Sequence, residues 1–220
     1  MTTTPGRTGE GKRARQRSAT RVAILVAAAE VFSARGFEGA TLREIAGRAG
    51  VKQPLVVYHF GSKQQLWEAA VDRLWHRLVE AVRADSERVA GADSPERLRA
   101  VLRSFIAVVA AEPAWLQILL REAAEPGPRL DWLVAQHSRS TYALGADFLA
   151  DLQAQGLLPA GSTRHLLYIL VGALTFVLAI APEVERVTGD RPRGEAYLDR
   201  HLDTFMSLFL PRPSRDAART

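Results

Sequence analysis

Apolar positions recur through this chain at the three-to-four-residue spacing of helices, and no β-branched run alternates with polar residues over a convincing length. Pro and Gly fall between the periodic segments, where breakers belong. The pattern predicts nine helices. The first covers Thr20 to Arg35, with a stripe of Ile24, Leu25, Ala28, Val31 and Phe32, and Gly36 stands at its C′ position. Thr41-Leu42-Arg43-Glu44 is a capping box that opens a second helix ending near Ala49. Gly50-Val51 supplies a turn, and a third helix spans Lys52 to His59. Ser62-Lys63-Gln64-Gln65 is another capping box, opening a long fourth helix to about Val89. The fifth begins at Ser94-Pro95-Glu96 and ends before Pro113. The sixth runs from Trp115 to Ala124, the seventh from Arg129 to Gln155, the eighth from Ser162 to Ala181, and the ninth from Glu195 to Leu210.

The ends differ from this pattern. Residues 1–18 are Thr/Gly/Arg-rich without apolar periodicity and read as a flexible basic arm, and 211–220 (PRPSRDAART) as a disordered tail. Between them lie a short-helix module at 19–66 and a larger helical domain at 67–210. The longest apolar run, Leu166 to Ala181, is too short to span a bilayer and is stopped by Pro182, so it reads as a doubly buried helix. No apolar stretch follows the basic start, so no signal peptide is expected, no membrane partner either, and the expected location is the cytoplasm.

Composition narrows the chemistry. Apolar residues make up 47% of the 220, enough for a sizeable core. There is no cysteine, which removes disulfides, thiolate nucleophiles and cysteine-ligated zinc. The five histidines show no paired ligand spacing, so no metal site is expected. The net charge of +5 is uneven: residues 1–63 carry eleven Lys/Arg against four Asp/Glu, and the rest eighteen against twenty. The basic excess therefore sits where a polyanion would be met.

Two helices of about eight residues joined by a turn at Gly50 make a helix-turn-helix. Ala46, Ala49 and Gly50 are small where the helices must cross, and Leu42, Ile45, Val51 and Val56 face inward. That leaves Lys52, Gln53, Leu55, Tyr58 and His59 outward on a helix too short to be stable without its neighbours.

The stretch TLREIAGRAGVKQPLVVYHFGSKQQLWEA resembles the DNA-binding region of the TetR regulators. Thr41, Ile45, Ala46, Ala49, Gly50, Val51, Phe60, Ser62, Lys63 and Leu66 match that pattern, and Phe32, Gly36 and Phe37 precede it in register. The resemblance is specific over about residues 20–70 and departs at Val57, where the family carries an aromatic that meets the DNA backbone. It implies an all-α, nine-helix fold, a homodimer, a palindromic operator in double-stranded DNA, and repression relieved by a hydrophobic or amphipathic small molecule. No other cofactor is implied.

Chemistry assigns roles within that frame. Thr41, Tyr58 and Lys63 suit phosphate contacts, as does His59 in place of Val57; Arg43 reaches a phosphate or a guanine edge. Lys52 favours guanine, Gln53 adenine, and Leu55 a thymine methyl. Arg13, Arg15 and Arg17 of the arm are candidates for the minor groove. In the larger domain Trp75, Phe105, Trp115, Trp132, Tyr142 and Phe176, with polar Gln117, Gln136 and His137, are candidate effector contacts; the alternative is that the aromatics are plain core and His137 structural. The dimer surface is expected on the last two helices, at Leu166, Leu170, Leu174 and Val177 and at Leu198, Leu202, Phe205 and Phe209, unless these cover their own domain. A helical enzyme is disfavoured by the lack of any nucleophile motif, phosphate loop or carboxylate pair. A DNA-binding protein without an effector remains the other alternative.

Overall fold

The computed structural model describes residues 7–89, 91 and 94–209. They are helical without strands, in eleven α-helices: α1 (Arg7–Gly39), α2 (Leu42–Arg48), α3 (Gln53–Phe60), α4 (Lys63–Arg88), α5 (Ser94–Ala111), α6 (Pro113–Ala123), α7 (Pro128–Leu133), α8 (Arg139–Ala154), α9 (Thr163–Ala179), α10 (Ala181–Thr188) and α11 (Glu195–Phe209). A π-turn, Val134–Ser138, joins α7 to α8. The two helices beyond nine have simple origins. The π-turn divides the expected seventh helix, and the eighth stops at Ala179, where the chain bends by 68° into α10. The chain forms two compact units that divide between Leu74 and Trp75, inside α4 and later than the 66/67 boundary read from sequence.

The first unit is built on α1. Ile24, Leu25, Ala28, Val31 and Phe32 are all buried, as their spacing requires. Gly36 turns the chain at φ 72°, a left-handed conformation that only glycine adopts at no steric cost, and the Phe37 ring it releases stacks on Phe32 at 5.9 Å and meets Trp67 edge-on at 6.4 Å. Trp67, fully buried on α4, is a core anchor that the sequence pattern did not single out.

The start of α1 corrects the sequence reading. Residues 7–18, expected as a flexible arm, continue the helix outward from Thr20. Between Gly11 and Gly36 no Gly or Pro interrupts the chain, and Lys12, Arg13, Arg15, Gln16 and Arg17 are good helix formers, so propagation from a buried helix costs little. Residues 1–6 and the expected tail 211–220 lie outside the described residues.

In the second unit α9 is the hub, packing against α5, α6, α8, α10 and α11. Its buried face is Leu170, Leu174, Thr175 and Leu178, and α11 contributes Leu198, Leu202 and Phe205. Two ion pairs, Arg103–Asp199 at 2.6 Å and Arg99–Asp203 at 2.5 Å, fix α5 against α11. Pro113 turns α6 by 85° from α5, and Gly156, at φ 72°, ends α8 in a Schellman turn in which Leu157 N–H bonds Leu152 C=O at 3.0 Å.

This packing overturns part of the expected dimer surface. Leu170, Leu174, Leu198, Leu202 and Phe205 are sealed inside their own unit, and Leu166, Val177 and Phe209 are half-buried. The first five face the unit's own core. The face of α9 left open is His165, Tyr168, Ile169, Gly172, Ala173 and Phe176, at helical spacing, with Tyr168 71% and Phe176 64% exposed. Thr204 and Leu208 of α11, the latter 74% exposed, are also open to solvent. No single helix among the described residues is long and apolar enough to cross a membrane.

Candidate nucleic-acid interface

Local chemistry places α2 and α3 at a fixed angle. Thr41 caps α2, its Oγ1 accepting the Glu44 N–H at 3.1 Å. The turn after α2 is a Schellman motif: Val51 N–H bonds Ala46 C=O at 2.9 Å and Gly50 N–H bonds Gly47 C=O at 3.2 Å, with Gly50 at φ 68°. Pro54 in the first turn of α3 lacks a donor where none is needed, and its ring fixes φ for the helix. Gly61 closes α3 at φ 73°, and a Cβ there would also strike the Gln65 side chain. Gln65 in turn donates its N–H to Ser62 Oγ at 3.1 Å, which starts α4.

Val56 and Phe60 pin α3 inward. The sequence-assigned contacts Thr41, Arg43, Lys52, Gln53 and Tyr58 are exposed, and Leu55 is open along one side. Val57, at 43% exposure, stands outward without a polar group. Lys63 does not project freely. Its Nζ donates to the Glu38 carbonyl at 3.2 Å and lies 4.6 Å from the centre of the Phe37 ring. Two of its three protons remain for a phosphate.

The arginines of α1 lie along α3. Arg17 Nη2 donates to Tyr58 Oη at 2.7 Å with its guanidinium 5.4 Å from that ring, and Arg21 sits 5.1 Å from the Phe60 ring. Arg13, Gln16, Arg17 and Thr20 line a shallow cleft of about 280 Å3 with Leu55, Tyr58 and His59. Burial, then the positive charges of Arg17 and Arg21, push the His59 pKa below its ordinary 6.5. The sequence pattern had separated the arm from the recognition helix; an uninterrupted run of helix formers was the signal that it continues α1.

In the second unit, five of the nine candidate effector contacts meet. Trp75 on α4 lies 5.2 Å from Trp115 on α6 and stacks at 5.2 Å on His137 of the π-turn. Phe105 on α5 closes edge-on against Trp115 at 6.2 Å, and Trp132 against His137 at 5.4 Å. Trp115 Nε1 is buried there without a hydrogen-bond partner among the described residues. The other four lie elsewhere. Gln117 and Gln136 are exposed, Tyr142 pairs with Tyr168 at 5.9 Å, and Phe176 belongs to the open face of α9. A helix repeats every 3.6 residues, so sequence proximity to a tryptophan says little about which way a glutamine points.

Fold and interface together define an all-helical protein of the helix-turn-helix type. The profile of the bacterial regulatory proteins of the tetR family matches residues 24–70. Over 203 residues the chain is 27% identical to the transcriptional regulator RutR of Escherichia coli O157:H7, covering 91% of this chain and 93% of that one. It is also 27% identical over 173 residues to the transcriptional repressor NicS of Pseudomonas putida, covering 76% and 78%. Among solved structures, a linker-substituted form of the regulator HlyIIR superposes with a TM-score of 0.68 at 18% identity, covering 90% of this chain and 99% of that one, which speaks to the fold alone. Residues 24–70 thus match the DNA-binding region of the tetR family, and most of the chain is similar to transcriptional regulators that carry it.

Proposed function

We propose that this regulator is a cytoplasmic homodimeric repressor that holds a palindromic operator through two copies of α3 and lets go when a small molecule enters its second unit. The observation that carries the reading is the outer face of α3: a docked helix with Lys52, Gln53 and Tyr58 exposed beside a row of arginines. Docked helices keep an exposed polar-apolar face for a partner, and this one has the charge for DNA. Curated relatives include both a repressor and an activator. Repression is preferred because a dimer seated on its operator needs no further surface to exclude other proteins.

Dimerisation is assigned to the open faces of α9 and α11. Gly172 and Ala173 at the centre of the α9 stripe permit close helix approach, and Tyr168, Ile169 and Phe176 around them supply apolar area that water otherwise covers. The effector is assigned to the cluster of Trp75, Phe105, Trp115, Trp132 and His137. It carries an acceptor for the Trp115 N–H, because a buried donor left unpaired costs about 1–3 kcal/mol. Coupling runs along α4, one continuous helix from Lys63 past Trp75.

Selection from random duplexes tests the DNA reading. It is expected to return an inverted repeat with half-sites about 34–36 Å apart, since two-fold related helices must enter successive major grooves. A consensus without internal symmetry would overturn it.

A further inference from the structure

The helical extension of α1 is exposed from Gly11 to Ala19, so it has no buried face of its own. It nevertheless lies against α3, held by Arg17 on Tyr58 and Arg21 on Phe60. Leu55, Tyr58 and His59 stand at i, i+3 and i+4, one side of α3, and it is this side that faces the cleft. The other side, with Gln53 and Val57, stays open. Every polar group lining the cleft donates or can donate a hydrogen bond: the Arg13 and Arg17 guanidinium groups, the Gln16 amide, the hydroxyls of Thr20 and Tyr58, and the His59 imidazole. Among the described residues no carboxylate lines it. Such a set suits a tetrahedral oxyanion, and arginine forks suit phosphate best.

We propose that this cleft seats a backbone phosphate of DNA, held by Arg13 and Arg17, with Tyr58 as the residue that positions Arg17. The proposal rests on the reading that the outer face of α3 meets DNA. It replaces minor-groove entry by the arm. A helix is about 10–12 Å across with its side chains, and the minor groove about 6 Å wide, so a helical extension stops at the phosphate wall of the groove. It also accounts for Val57, which offers no hydroxyl to the backbone. The missing contact comes from α1, on the neighbouring side of α3 that carries Tyr58 and His59.

The test uses the full-length protein with two duplexes, one recovered by selection and one of random sequence, titrated between 50 and 200 mM salt. Arg13→Ala and Arg17→Ala are expected to weaken binding to both duplexes alike. Each flattens the slope of log affinity against log salt by about one unit, so the salt penalty over that fourfold range shrinks about fourfold per lost contact. Tyr58→Phe leaves the slope unchanged and weakens binding less than Arg17→Ala. Arg13 is exposed and contacts no buried core, so its variant decides the matter even if Arg17→Ala lowers the melting temperature. Unchanged slopes would make the extension a solvated helix, and tighter binding would make it a cover that must leave α3; either overturns the proposal. Gln53→Ala separates the two readings. If it spares the preference for the selected duplex while the arginine variants still flatten the slope, base readout by Gln53 falls and the phosphate cleft beside α3 stands.

Discussion

His59 shows how one side chain ties protonation to binding. In the free protein burial comes first, with Arg17 and Arg21 second, in disfavouring its charged form, so its pKa lies below the ordinary 6.5. An unfolded chain takes up that proton at a higher pH than the folded one does. The contribution of His59 to fold stability is therefore present above pH 6.5 and is lost as pH falls through the folded value. A phosphate beside the ring reverses the sign of the neighbouring field and raises the pKa in the complex. DNA binding should then take up a proton, and affinity should rise as pH falls through the raised value of the complex, while the melting temperature of the free protein declines as pH falls below the ordinary 6.5. His59→Gln removes both dependences. Affinity titrations and thermal melts from pH 5.5 to 8 check this, and an affinity that falls with acidity in the native protein counts against a phosphate near His59.

At the scale of elements, the π-turn Val134–Ser138 is what brings His137 onto Trp75. A π-turn adds a residue to the helical repeat, so side chains beyond it rotate relative to an ideal helix, and such turns are frequent at functional sites. Two substitutions of Trp115 separate ligand contact from plain core. Trp115→Ala empties a buried site and should cost about 3–5 kcal/mol of stability. Trp115→Phe keeps most of the ring and removes the unpaired donor, so its stability loss should be far smaller. If the cluster binds an acceptor-bearing effector, Trp115→Phe should raise the effector concentration needed to release DNA without altering DNA affinity in its absence. Calorimetric melts and release titrations on the two variants measure both quantities. Equal release by the native protein and Trp115→Phe would leave the cluster as core.

At the scale of the whole molecule, the open stripe of α9 is where the proposed pairing of two copies is tested. Ile169→Arg with Phe176→Arg places charge on an exposed face, which the folded monomer tolerates, but across a symmetric contact it buries unpaired charge twice over. Sedimentation should show monomers that melt near the native temperature, with affinity for a palindromic duplex falling toward that for a half-site. Leu174→Arg instead forces a charge into the unit's own core and should unfold it. A double variant that still sediments as a dimer moves the interface off α9.

Much of this protein was legible in its residues. Capping at Thr41 and Ser62, the glycine turns at Gly36, Gly50 and Gly156, and the α1 stripe are set by interactions within a few residues, so the sequence alone determined them. The basic first quarter and the TetR-like pattern around Gly50 likewise needed no coordinates. Tertiary structure decided what depends on direction. Helix α9 is apolar on nearly every side, so its periodicity cannot tell the stripe that meets its own core from the stripe left open. The two differ by about one residue, a rotation of roughly 100°. The same ambiguity sent Gln117 and Gln136 into solvent and Phe176 to the open face of α9. The extension of α1 has no apolar pattern to read; it is held by arginines resting on rings more than thirty positions away, and only the folded chain brings those together.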